Sequence, residues 1–180
     1  MDHKGTFGLE RGTYGLERQK IFLHCFSVRM AGISNHYIDS ILGRTSTTYR
    51  GTYSSDILPR RDFKELPASL VVNLSRHTEK TGHFVAIYED EQNMYYMDSL
   101  GLKPFVPTLT HFIERSGKQL HYNTTAIQSA KSEYCGFFAM CYILWCEKVG
   151  PTLDQFIAMF DTILNHDALV VHLINKLIRF

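Results

Sequence analysis

The chain is poor in the residues that mark specialised architectures. Its 180 residues include only 4 cysteines, 5 prolines, 12 glycines and 1 tryptophan. So few Pro and Gly exclude collagen-like and low-complexity chains. Four cysteines, at Cys25, Cys135, Cys141 and Cys146, are too few and too clustered for a disulfide scaffold. Net charge is nearly absent: 19 Lys+Arg against 18 Asp+Glu leaves +1, so no global field points to nucleic acid or membrane. The longest apolar stretch, Tyr134 to Cys146, runs 13 residues and contains Gly136, too short to span a bilayer. The opening MDHKGTFGLERGTYGLERQ has no apolar h-region and carries both signs of charge. No secretory signal, a reducing compartment and free thiols are therefore expected.

What is present is an ordinary globular composition, 44% apolar and 13% aromatic, in a length that fits one domain over residues 1–180. GTFGLER at Gly5 to Arg11 is repeated as GTYGLER at Gly12 to Arg18. Two such units are far too few for a solenoid, and residues 1–20 are expected to form a flexible arm.

The expected elements begin with a strand or short helix over Ile21 to Met30. Ser34 then caps a helix through Leu42, with Tyr37, Ile38, Ile41 and Leu42 on one face and Gly43 ending it. Residues 44 to 62 read as turn-rich, and Val71 to Leu74 as strand. His83 to Tyr88 and Met94 to Met97 flank the polar Glu89 to Asn93 and predict a β-hairpin. A capped helix is expected around Val106 to Ser116, with Phe105, Leu109, Phe112 and Ile113 apolar, then a strand over Leu120 to Ile127. Gly136 to Lys148 is apolar almost all round, as in a central buried helix, and Gly150-Pro151 breaks it. Thr152 to Leu164 reads as an amphipathic helix, and Asp167 as the cap of a last one. Strands packed on helices, with a helical C-terminal third, make the expected fold α+β.

Cys135 falls immediately before the buried helix. There unpaired backbone N–H groups and the positive end of the dipole favour a thiolate and can stabilise an oxyanion. Gly136 is expected to admit a substrate backbone. Cys141 and Cys146, deep in the apolar helix, read as core, as does Cys25. A cysteine nucleophile needs an imidazole to move its proton. His83 opens a strand, and Asp98, 15 residues on, can sit beside it on the neighbouring strand and orient its ring. Gln128, seven residues before Cys135, is placed to reach the oxyanion.

GHFVAIY with His83, YYMDSLG with Asp98, and QSAKSEYCGFFAMCYIL with Gln128 and Cys135 together resemble the adenovirus-type cysteine proteases and their relatives in large DNA transposons and related viruses. More distantly the pattern is similar to the ubiquitin-like-protein proteases, where the Gln-to-Cys interval is usually one residue shorter. GTYSSDILP at Gly51 to Pro59 also resembles the N-terminal region of the adenovirus-type enzymes. The resemblance implies a central mixed β-sheet packed against helices, in the papain-like clan with permuted order His-Asp-Gln-Cys. It implies a cysteine endopeptidase with His83, Asp98 and Cys135 catalytic and Gln128 in the oxyanion hole. Its substrates would be viral or transposon-encoded precursor proteins, or the tails of ubiquitin-like proteins. It further implies a place in the host nucleus or cytoplasm or in the virion, and no metal.

The chain departs from that pattern in two places. Phe84 follows the histidine where the family commonly has Trp. The adenovirus enzymes are activated by a peptide that disulfide-bonds to a cysteine upstream of the Gln, and no cysteine lies between Cys25 and Cys135. Any peptide or DNA activator would thus act without that disulfide. A weak DNA contact would fall on the basic cluster Arg44, Arg50, Arg60, Arg61 and Lys64, otherwise a solvated face. Two other classes use the same residues: an acyl- or acetyltransferase with the same triad, and a catalytically inactive protein-binding module. Metal binding ranks last, since Cys141 and Cys146 are five apart on one helix and no His pair has i,i+4 spacing.

Overall fold

The computed structural model describes residues 33–60, 63, 65–79 and 82–178. Gly32–Phe180 forms one compact unit. The GLER repeat, the Ile21 to Met30 segment, Cys25, Arg61 and Lys64 lie outside the described residues. The elements in chain order are α1 (Asn35–Thr45), β1 (Tyr49–Ser54), β2 (Ala68–Asn73), β3 (Phe84–Glu89), β4 (Asn93–Met97), α2 (Pro107–Glu114), β5 (Gln119–Tyr122), α3 (Cys135–Lys148), α4 (Leu153–Ala158) and α5 (His166–Ile178).

The five strands lie in chain order in one mixed sheet. β1 and β2 are parallel, β2–β3 and β3–β4 antiparallel, and β4 and β5 parallel. Every residue of β2 and β3 is buried because both sheet faces are covered. Val71, Phe84, Ala86 and Met97 pack with α1, α3 and α5 on one face. Leu70, Val72, Val85, Ile87, Met94 and Tyr96 pack with Leu109, Phe112 and Ile113 of α2 on the other. Helix α3 is buried continuously from Cys135 to Leu144, which explains its lack of a polar face. The α+β architecture with a mixed sheet against helices is as expected.

Several boundaries differ from the sequence reading. The Ser34 side chain does accept from the Tyr37 N–H. Gly43, however, does not end α1, which runs to Thr45 because Arg44 Nε and Thr45 Oγ1 donate to carbonyls within the helix. Strand β1 occupies the turn-rich segment. Leu120 to Ile127 is strand only to Tyr122, after which Asn123 begins a loop. Helix α2 has no side-chain cap; Pro107 starts it, and Phe105 stands before it, exposed. Helix α4 stops at Ala158 instead of reaching Leu164. The last helix is capped by Asn165, whose side chain accepts from Ala168 N at 3.0 Å, leaving Asp167 in the first turn.

Candidate active site

The hairpin β3–β4 and the start of α3 position His83, Asp98 and Cys135, and the loop before α3 carries Gln128. His83 stands one residue before β3, and its carbonyl accepts from Leu74 N at 2.8 Å, extending the β2–β3 ladder to the histidine. Gly82 must precede it: a Cβ there would lie 1.8 Å from Asn73 Oδ1. Asp98 follows β4 directly and is fully buried. Antiparallel pairing of the two strands sets the two side chains against each other, with His83 Nε2 2.6 Å from Asp98 Oδ1. The other ring nitrogen, Nδ1, is left free of Asp98, and the Cys135 side chain is close enough to raise the ring's pKa. Burial disfavours the imidazolium, but hydrogen bonds and negative charge from Asp98 and Cys135 outweigh it, and the His83 pKa is raised to about 9.

Cys135 is the first residue of α3 and is 8% exposed, at the mouth of the buried helix. Phe137 N and Phe138 N both donate to the Tyr134 carbonyl. The Cys135 backbone N–H has no acceptor among the described residues, so it is available to an anion at this helix end. Gly136 has a packing role that the sequence reading did not assign. Its Cα faces the interior, where a Cβ would approach Ile33 Cδ1 to 2.6 Å and Ile38 Cδ1 to 3.3 Å. It admits Ile33, just before α1, and Ile38 within it. Cys141 and Cys146 are core residues, and burial pushes both thiols far above their usual range.

Gln128 is buried beside this centre and held at both ends. Its Oε1 accepts from Ser99 Oγ at 2.5 Å, and its Nε2 donates to Ser132 O at 2.8 Å and Ser132 Oγ at 3.2 Å. The segment carrying it is tied to the C-terminal helix by His166 Nδ1, 2.7 Å from the Ile127 carbonyl.

Sequence reasoning missed Asn123. This buried side chain accepts from Asp98 N at 2.9 Å and donates to Asp98 O at 2.7 Å and Thr125 O at 3.0 Å. It thus clamps the aspartate's main chain while Leu100 N donates to Asp98 Oδ1 at 2.8 Å. Asp98 Oδ2 and the Tyr96 hydroxyl are both buried without a hydrogen bond of standard geometry. Burial first, then the nearby Asp98 charge, push the Tyr96 phenol far up and keep it neutral. Only the Asn-Thr-Thr turn after β5 hinted at such a role.

Of the described members of the basic cluster, Arg44 and Arg50 bond to local carbonyls and Arg60 is exposed. Arg44 Nε donates to Ser40 O, and Arg50 donates to the Thr47 and Tyr49 carbonyls. Among the described residues no group of three or more His, Cys, Asp or Glu side chains is placed to hold a metal ion. No helix among them is long and apolar enough to cross a membrane.

A mixed sheet, a buried helix opening on a cysteine, and a His–Asp pair at the hairpin make up a fold that the chain shares with a solved protease. Among solved structures the chain is similar to the ASFV pS273R protease, with a TM-score of 0.54 over 79% of this chain and 68% of that one, at 18% identity. The SUMO protease Ulp1, with its catalytic cysteine oxidized to a sulfinic acid, aligns over 61% of this chain and 52% of its own, at 16% identity and a TM-score of 0.36. No family model matches the sequence. No curated protein matches it either. The likeness to the ASFV enzyme is one of fold, and the chemistry rests on the side chains described above.

Proposed function

We propose that the chain is a cysteine endopeptidase acting on polypeptide precursors. One observation carries this reading: the His83 ring stands between a fully buried Asp98 carboxylate and Cys135 at a helix N-terminus. Cys135 as thiolate attacks the scissile carbonyl, and the His83 imidazolium gives its proton to the leaving amine. The Cys135 N–H and the Gln128 amide stabilise the oxyanion, and water released onto the thioester by His83 as base completes hydrolysis. The motif order and the fold shared with the ASFV pS273R protease support precursor proteins of viral or transposon type as substrates, with the tails of ubiquitin-like proteins as the related alternative. Such a role places the enzyme in the host nucleus or cytoplasm, or within a virion. A peptide or DNA activator, if used, would bind without a disulfide to a cysteine upstream of Gln128.

The test is active-site titration with iodoacetamide and a peptide aldehyde, beside Cys135→Ala, on a peptide library and on ubiquitin-like precursors. Stoichiometric labelling of Cys135 and loss of cleavage by at least about a thousandfold in the alanine variant are expected. Full proteolysis by that variant would sink the reading. Acetyl transfer without hydrolysis would move the chain to the transferase class.

A further inference from the structure

We propose that Ser99 is a positioning residue for the oxyanion donor: its hydroxyl fixes which end of the Gln128 amide faces the reaction, and it does so from the turn that also carries Asp98. The proposal rests on the reading of Gln128 as that donor.

The two ends of a glutamine amide differ only in hydrogen-bond polarity, so their orientation is set by what surrounds them. Here one neighbour has no choice. The Ser132 carbonyl is an acceptor only, and at 2.8 Å it requires the nitrogen end of Gln128 to face it. The Ser132 hydroxyl, 3.2 Å from the same nitrogen, also accepts from Tyr134 N at 3.3 Å. With the nitrogen end so placed, the Ser99 hydroxyl must donate to Oε1, which it does at 2.5 Å. Its one proton is committed there. Nε2 carries two hydrogens, and the Ser132 carbonyl takes one. The other, nearest the Ser132 hydroxyl at 3.2 Å, is the one an oxyanion would draw, and it keeps its direction only as long as the amide plane cannot rotate.

Ser99 resists that rotation from two sides. Its carbonyl accepts from both Ile127 N at 2.8 Å and Gln128 N at 2.9 Å, so it grips the main chain of the donor as well as the side chain. Ser99 is itself buried and cannot be relieved by water. Removing its hydroxyl leaves Oε1 unpaired in a dry site, and the amide recovers only by turning away from its working plane. Asp98, one residue earlier, serves the acid–base pair through His83. Adjacent residues of one turn therefore hold the two halves of the chemistry, and they can be separated experimentally.

Alkylation of Cys135 by iodoacetamide is a displacement at carbon that builds no oxyanion. Hydrolysis and capture of a peptide aldehyde both build one. Ser99→Ala should lower kcat about tenfold and weaken aldehyde binding by a similar factor, a fraction of the roughly hundredfold loss expected of Gln128→Ala. KM and the iodoacetamide rate should stay at the native value. In a Gln128→Ala background, Ser99→Ala should cost nothing further, because a residue acting through another has nothing left to position. An equal loss in iodoacetamide rate, or a full additive loss in the double variant, overturns the proposal. On the unaltered protein, the crystal structure of the aldehyde adduct should keep the Ser99–Gln128 contact with Nε2 on the adduct oxygen; a broken contact overturns it without any variant. If Gln128→Ala lowers neither kcat nor aldehyde affinity, the oxyanion reading fails and this proposal with it. If Gln128→Ala lowers both and Ser99→Ala neither, the role of Ser99 alone falls.

Discussion

His83 is the side chain whose titration should be visible in the chemistry. Its pKa is raised to about 9, with burial opposing and Asp98 and Cys135 prevailing, so the imidazolium persists through neutral pH. The sign follows directly. The leaving amine needs a protonated His83, so kcat/KM should fall as pH rises through about 9. In Asp98→Asn that limb should move down toward the ordinary histidine value of about 6.5. A limb that does not move would show that Asp98 does not hold the charge. The same pair stabilises the fold fully below about 6.5, and the contribution is lost as pH rises through about 9. Asn123 belongs to this scale too. Asn123→Ala removes both hydrogen bonds that grip the Asp98 main chain. We expect kcat to drop about tenfold and the alkaline limb to shift in the direction of Asp98→Asn, since misplacing a partner by a fraction of an ångström is costly. A change in stability with an unmoved limb would make Asn123 merely structural.

At the scale of elements, the delivery of His83 depends on Gly82 lying against the end of β2. Gly82→Ala would drive a methyl into Asn73 Oδ1, which is held where it accepts from Ser75 N at 3.0 Å. A loss of about 1–3 kcal/mol in thermal or urea unfolding is expected, together with slower alkylation of Cys135. Adding Asn73→Ala should recover part of both; no recovery would exclude this contact as the cause. Three of the four proposed site residues, His83, Asp98 and Cys135, were legible in the sequence because each sits where an element starts or stops: before β3, after β4, and at the first residue of α3; Gln128 lies in the loop between β5 and α3. Their supports were not. Ser99, Asn123 and Ser132 act by hydrogen bonds across loops, and no periodicity encodes such contacts. Strand β1 escaped notice because only its last residue is fully buried, so its apolar alternation is weak. Helix α4 was overextended because apolar spacing continues past Ala158, where Phe160 is buried from a turn instead. The packing of Gly136 against Ile33 and Ile38 was not legible because sequence alone does not say which side of a helix mouth faces a neighbouring segment.

For the whole molecule, helix α3 carries three buried thiols in different surroundings. Cys135 opens the helix beside the His83 ring, whereas Cys141 and Cys146 lie within it, where burial pushes their thiols far up. In the native protein Cys135 should label with iodoacetamide at once. Cys141 and Cys146 should react only at the rate of global opening, slowing with any stabilising condition. Fast native labelling of either would contradict the packing of α3. The turn from Asp98 to Gly101 has a reach beyond any one experiment. Gly101, at φ +71°, lies so close to residues 124–126 that a Cβ would meet their backbone at 2.8–2.9 Å, while Ser99 binds Ile127 and Gln128. Asp98, Gln128 and the chain between them are thereby geared together. Homologous sequences should consequently change this turn and the 123–128 segment in concert: an insertion or a bulkier residue in one is tolerated only with a matching alteration in the other, so covariation between them would be the historical trace of a shared constraint.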